Sequence, residues 1–253
     1  MNCRNTQDTP SMIAPKLRRL LGGLRQTPLH PQWLVFKDTR QQKQRIAQRI
    51  QGRLLDIGCG EKPLTPFLSA GVNYIGLDYP PTVAKGYSGK ADVFGDGQRL
   101  PFADASFDCI TILDVMEHLP NPEAAFGEML RVLKPGGILI SQTPFLYPLH
   151  DLPHDFQRWT GEGLSQFTQR HPADLIERHH HSKPLETAAI LTNLALAKGM
   201  LDSLHAKHPG LLLLPLVILL VPIINLAGWA FARLLPDEGF MPLSYTAVFR
   251  KRA

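Results

Sequence analysis

The chain is 253 residues long, 44% apolar and 19% charged. That apolar share buries a core and excludes a disordered chain, and the length suits one large α/β domain with an insertion rather than two independent domains. Lys and Arg exceed Asp and Glu by 27 − 22 = 5, an excess with no clustered basic and aromatic stripes, so no nucleic-acid partner is expected.

Residues 1–15 read as a polar arm. In residues 16–25, KLRRLLGGLR, Leu17, Leu20, Leu21 and Leu24 share one helical face and Lys16, Arg18, Arg19 and Arg25 take other positions. This basic amphipathic pattern fits a membrane surface or packing on the domain, and Gly22-Gly23 weakens it as a helix. A charged helical pattern follows over 34–50. Apolar runs at 53–58, 74–78, 91–95, 107–113 and 137–143 then read as five strands. A helix is predicted over 122–133, opened by Pro122 and closed by Pro135-Gly136-Gly137. Nearly continuous apolar strands alternating with helices predict a parallel sheet covered on both faces. Beyond residue 160 the pattern gives a helix at 161–169, a strand at 173–180, a helix at 185–206 and a last strand at 245–252. Residues 210–232 carry no charge, and 18 of those 23 are apolar. The predicted organisation is an arm (1–30), a core (31–183), an apolar helical insertion (184–237) and a closing strand (238–253).

The chemistry concentrates at strand ends. LLDIGCGEKP (54–63) runs from a strand into Asp56, then Gly58 and Gly60, where missing side chains allow close backbone approach to a ligand. A dinucleotide fingerprint would place a third glycine at position 63; Pro63 stands there, which disfavours a nicotinamide oxidoreductase. Asp78 ends the second strand, 22 residues after Asp56, a spacing that suits a carboxylate accepting both hydroxyls of a ribose. Asp96 follows the third strand, within reach of an adenine amino group, and Asp114 ends the fourth. Four acids thus follow four strands at one sheet edge, where open α/β sheets bind ligands.

DIGCG, the Asp78 strand end, GDGQRLPF, SFDCITILDVMEHL and RVLKPGGILISQTPF (131–145) together resemble class I S-adenosylmethionine-dependent methyltransferases, nearest to the group that includes the quinone-biosynthesis enzymes. The resemblance spans about residues 50–170. It implies a Rossmann-like, seven-stranded α/β sheet with the last strand antiparallel and inserted beside the sixth. It also implies S-adenosyl-L-methionine as cofactor. Asp56, Gly58, Cys59 and Gly60 would surround the methionine part, Asp78 and Tyr79 the ribose, and Asp96, Gly97 and Gln98 the adenine, with Asp114 near the sulfonium. Glu117 and His118 are expected to hold the strand-four loop or line this site.

LHDLPHDFQRWT (149–160) places His150, Asp151, His154, Asp155, Arg158 and Trp159 in a loop at the same edge. It resembles a stretch in methyltransferases that modify surface glycans or lipids, so a small-molecule or lipid-linked acceptor is expected. His154 is the first candidate base and His150 the second, with a loop-stabilising bond to a neighbouring Asp as the alternative for each. No metal site is expected: His179-His180-His181 on a strand point to opposite faces. Cys59 and Cys109 read as packing residues in a reducing, cytosolic compartment, and no secretory signal is expected.

As a helix, 210–232 would reach roughly 34 Å, long enough for a ~30 Å hydrocarbon core. If strand seven pairs beside strand six, one crossing between them is excluded. The segment is therefore expected to enter and return, to lie in the interface, or to pack on protein as a cap or dimer surface. Pro215, Pro222, Asn225 and Gly228 predict a broken helix. Membrane contact is expected through 16–25 and 210–235, on the cytoplasmic face. A non-catalytic cofactor-binding or scaffold protein of the same fold is the alternative.

Overall fold

The computed structural model describes residues 22–80 and 89–253. Its strands are β1 (Arg53–Ile57), β2 (Asn73–Asp78), β3 (Val93–Phe94), β4 (Phe107–Leu113), β5 (Leu133–Pro144), β6 (Ala173–His181) and β7 (Ser244–Lys251). They form one sheet in the order β3-β2-β1-β4-β5-β7-β6. β1 to β5 pair in parallel, and β7 runs antiparallel between β5 and β6. This is the expected Rossmann-like α/β sheet with its last strand inserted. In register, Ile57 pairs with Leu77 and with Ile112, so Gly58, Asp78 and Asp114 emerge at one edge.

Both faces of the sheet are buried, which is why its strands read as unbroken apolar runs. Leu55, Ile57, Ile110 and Ile112 pack with Phe126 and Met129 of α3 (Pro122–Val132). Leu54, Cys109, Ile140 and Val248 turn to the other face, against Ile46 of α2 (Thr39–Ala47), Ile50 and Leu64. The Asn121 side chain caps α3 by accepting from the Ala124 N–H at 3.1 Å. The predicted 34–50 helix is divided into α1 (Trp33–Phe36) and α2, and the 161–169 helix into α4 (Gly161–Ser165) and α5 (Phe167–Arg170). The glycine loop after β1 leads into a 3-10 turn, Thr65–Phe67. Most of the basic segment 16–25 lies outside the described residues.

The insertion corrects one expectation. Residues Leu214–Leu234 form a single helix, α7, with Pro222 inside it. Pro215 sits in the first turn, where no N–H is needed. The reversal lies earlier, between α6 (Pro184–His205) and a 3-10 turn at Pro209–Leu213, so the hairpin is made of α6 and α7. Val217, Val221, Asn225, Gly228 and Ala232 form the buried stripe of α7. A Cβ on Gly228 would stand 2.6 Å from Ala189 Cβ, so glycine lets the two helices touch. Beside it, Asn193 Nδ2 donates to Asn225 Oδ1 at 3.0 Å, and Asn225 Nδ2 donates to the carbonyls of Pro28 (2.8 Å) and His30 (3.0 Å).

Candidate active site

The turn after β1 is held by β2: the N–H groups of Gly58 and Cys59 both donate to Leu77 O, at 2.8 and 3.1 Å. Gly58 has φ +72°, and a Cβ there would stand 2.3 Å from Val115 Cγ2. The loop after β4 therefore crosses directly over this glycine. Gly60, at φ +47°, has no atom of the described residues within 4 Å of a built Cβ. Asp78, buried at the tip of β2, accepts from Gly60 N–H (Oδ2, 3.1 Å) and from Tyr79 N–H (Oδ1, 2.8 Å). One carboxylate thus ties the glycine loop to the second strand. Tyr79 is half exposed beside it.

Asp56 is differently placed from the expectation that it surrounds the methionine part. Its buried carboxylate accepts from the hydroxyls of Thr111 (2.6 Å) and Tyr74 (2.5 Å), on the strands either side. Burial raises its pKa against those two hydrogen bonds, and the charge of Asp78 adds to the rise. Burial and the Asp56 carboxylate push the Tyr74 phenol up in turn. Asp56 braces the strand tips below the crevice. Cys59 is buried, its thiol 2.7 Å from where a Gly76 Cβ would be. Burial pushes that thiol up to about 12, so Cys59 offers the crevice backbone only.

On the far side, Asp96 Oδ1 accepts from the Gln98 backbone N–H at 2.9 Å, and Gln98 Oε1 accepts from Asn121 N–H at 2.9 Å. The expected adenine edge is therefore pinned to the start of α3. A Cβ added at Gly97 would make ordinary contact with Ile57 and Leu119. Sequence reasoning missed the clamp beneath this loop. Arg131 pairs with Glu128 at 2.7 Å and donates to the carbonyls of Leu100 and Phe102 at 3.1 and 2.9 Å.

Asp114 follows β4 with φ 55° and accepts from Gln142 Nε2 at 2.8 Å. It is open to the crevice yet deep among protein atoms. Its carboxyl pKa is raised to about 7, first by desolvation and then by the charge of Glu117. Glu117 is 0% exposed, and among the described residues neither carboxylate oxygen has a hydrogen-bond partner. The Nε2 atoms of His118 and His150 each lie 3.8 Å from Glu117 Oε1.

The two candidate bases are thereby separated. His150 joins this cluster, and the Glu117 carboxylate raises its pKa by charge attraction, since 3.8 Å is too long for a hydrogen bond. His154 stands exposed at the rim beside Phe156. Asp155, buried behind His150, accepts from Arg158 at 2.5 and 2.7 Å and from the His150 N–H at 2.9 Å. Arg158 holds the Asp155 carboxyl down at about 2. Trp159 is core. A separate open cavity, lined by Lys37, Arg45, His181, Lys183 and Glu186 among others, contains none of these aspartates.

Three observations place this arrangement among known proteins. Residues 55–141 match a family described as a methyltransferase domain. That stretch of the core carries a methyltransferase domain. An uncharacterized methyltransferase of Mycobacterium tuberculosis is 33% identical over 159 residues, 58% of this chain and 59% of that protein. The chain thus spans about three fifths of the relative's length. The 24-methylenesterol C-methyltransferase 2 of Oryza sativa is 34% identical over 119 residues, 41% of this chain and 33% of that one. In fold, an S-adenosylmethionine-dependent methyltransferase from Archaeoglobus fulgidus superposes with a TM-score of 0.52 at 17% identity, covering 86% of this chain and 94% of the other. S-adenosylmethionine is the cofactor of such a domain. The crevice fits it: room at Gly60 among the described residues, a carboxylate at the ribose position of β2, and an acidic side chain at the tip of β4.

Proposed function

We propose that this chain moves the methyl group of S-adenosylmethionine to an apolar or lipid-linked acceptor at a membrane surface. Bound in the crevice, the cofactor supplies an activated methyl group, so the chain's task is alignment. Asp78 and Gly60 hold the nucleoside end, and Asp114 faces the positive end. His154, at the rim, takes the proton of an acidic acceptor.

The observation that carries the acceptor class is the outer face of α7. Leu216, Ile218, Leu219, Ile223, Leu226 and Phe231 are all exposed. At ~100° per residue they cover roughly 200° of the helix. One partner helix covers far less, whereas lipid surrounds an apolar surface from every open side. Both ends of the α6–α7 hairpin return to the sheet, so the hairpin dips into one leaflet without crossing. Arg233 stacks on Trp229 at 3.9 Å near the end of α7, an arrangement at home at a lipid headgroup level. The sterol substrate in the name of the Oryza relative supports an apolar acceptor.

The test is flotation of the purified chain with anionic phospholipid vesicles, paired with release of S-adenosylhomocysteine on a membrane-lipid extract. Flotation lost in Ile218→Lys/Ile223→Lys, with cofactor affinity kept, supports the reading. A chain that stays at the bottom of the gradient and turns over only water-soluble acceptors refutes it. A stable dimer that hides α7 and ignores vesicles also refutes it.

A further inference from the structure

We propose that Glu117, His118 and His150 bind a divalent transition-metal ion at the acceptor side of the crevice. No metal is expected from the sequence, because the ligands lie 32 residues apart between His118 and His150 and belong to two loops. In the fold, one ligand atom from each of the three lies within 4.8 Å of the others. Glu117 Oε1 stands 3.8 Å from both Nε2 atoms. That gap is too wide for hydrogen bonds. It suits a bridging ion, because two ligands at about 2.1 Å from one metal lie roughly 3.0–4.2 Å apart. A small rotation of either imidazole brings the remaining pair into the same range.

The charge argument is independent of the spacing. A fully buried carboxylate with no donor on either oxygen is unfavourable, and a cation between it and the two imidazoles offsets that penalty. The imidazoles are also already oriented. His118 Nδ1 lies 2.9 Å from the His154 carbonyl, a bond that requires the proton on Nδ1. His150 Nδ1 lies 3.2 Å from the Pro148 carbonyl and 3.3 Å from Asp155 Oδ2. Both Nε2 atoms are left near Glu117, and His118 Nε2 also lies 4.0 Å from Asp151 Oδ2. Such carbonyl and carboxylate supports behind histidine are what metal ligands use to fix their tautomer. The Phe156 N–H donates to Glu117 O at 2.9 Å and staples the two loops together.

Two imidazoles with one carboxylate select zinc, manganese or iron(II) over magnesium, and three protein ligands leave positions open. On the methyltransferase reading, an acceptor hydroxyl oxygen occupies one of them. The ion lowers that hydroxyl's pKa, its proton leaves through His154 to water, and the oxygen then forms the new bond to the methyl carbon as the carbon–sulfur bond breaks.

The experiment uses the full chain stripped with EDTA and titrated calorimetrically with Zn²⁺, and with Mn²⁺ followed by electron paramagnetic resonance. One ion per chain is expected, with affinity falling at least about tenfold in Glu117→Gln and in Asp155→Asn. Glu117→Gln keeps shape and removes a buried charge, so it folds, and a thermal melt confirms this. His179→Gln/His180→Gln is expected to bind like wild type. Absence of binding to wild type, or equal binding by Glu117→Gln, overturns the site. Binding lost instead in the His179/His180 variant also overturns it. S-adenosylmethionine affinity, measured alongside, tests the enzymatic reading separately: metal bound without cofactor affinity sinks that reading and leaves the site standing.

Discussion

Replacing Asp78 with Asn tests the cofactor crevice most directly. The change keeps the volume and one acceptor oxygen but removes the charge. In the native chain the Asp78 carboxylate accepts from Gly60 N–H at 3.1 Å and from Tyr79 N–H at 2.8 Å. A ribose bound at the tip of β2 adds its hydroxyls to the same group. Hydrogen bonds to a charged acceptor are worth about 1.5–3 kcal/mol. Since Asn retains part of that, about 2 kcal/mol should be lost, close to a thirtyfold rise in Kd. Calorimetry with S-adenosylmethionine and S-adenosylhomocysteine reads this directly. Asp92→Asn is the matched control. Asp92 accepts from Gly76 N–H at 2.8 Å and from Lys62 Nζ at 2.6 Å, and those partners hold its carboxyl below the usual range. It braces the middle of β2, so its loss should lower stability slightly and leave Kd unchanged. If Asp78→Asn binds within about threefold of wild type, or if Asp92→Asn is as damaging, the row of strand-tip acids is not the nucleoside site.

Gly58→Ala should destabilise by about 2–4 kcal/mol in urea titration, from positive-φ strain plus overpacking. Val115→Ala in the same chain should restore part of this, because Val115 Cγ2 is the atom met at 2.3 Å. Asn225→Leu leaves the Pro28 carbonyl without its partner, and the His30 carbonyl and Asn193 Nδ2 keep one partner each, Trp33 N–H and Val221 O. With one orphaned group costing about 1–3 kcal/mol, a loss of about that size is expected, with faster hydrogen exchange over 28–36; a neutral variant contradicts the buried placement. His181 is held at about 4, chiefly by burial and then by the positive charges of His179, His180 and Arg45. Below its unfolded value of 6.5 the unfolded chain binds a proton that the folded chain refuses. Stability therefore falls as pH drops from 6.5 toward 4, by about 1–2 kcal/mol after allowance for its partial exposure. His181→Gln should flatten that slope in pH-dependent urea midpoints, and an unchanged slope refutes it.

Strand-forming runs were legible where both neighbours are sheet. FDCITIL is β4 residue for residue. β5 begins at Leu133, four residues before the predicted strand, because Leu133 pairs with Phe107 across a register shift. Pro135-Gly136-Gly137 ends a helix in the sequence pattern, yet here it lies inside an irregular strand. The hairpin shows the same ambiguity. Pro215, Pro222 and Gly228 are breakers by type, but one sits in a first turn and another at a helix contact, which only the fold decides. At the site, strand ends put Asp78 and Asp114 at one edge of the sheet, where the fold has them. They could not show which way Asp56 turns, since its partners Tyr74 and Thr111 come from two other strands. A Glu-His pair three residues after the acid of β4 is the available signal for Glu117. Its meaning depends on His150, which the 147–158 loop brings back.

The insertion and the crevice are parts of one packing arrangement. Tyr147 joins the apolar cluster of Leu34, Ala189, Ile190 and Leu243, with Ile224 and Trp229 of α7 packed around it. The Tyr147 hydroxyl accepts from Gln32 Nε2 at 2.7 Å, and its carbonyl accepts from Arg158 Nε at 3.2 Å. Its ring meets His150 edge-on with centroids 5.3 Å apart. The inner stripe of the hairpin therefore sets the position of a ring that touches the Glu117 cluster, while its outer face stays apolar and open. A helix pair needed only to fill space would bury its most apolar face. Here Gly228, Ala232 and Asn225 face inward with Ile224 and Trp229 at their side, while Leu216, Ile218, Leu219, Ile223, Leu226 and Phe231 stay outward, which makes physical sense if the outward face meets lipid and the inward face fixes the loop that receives what the lipid carries.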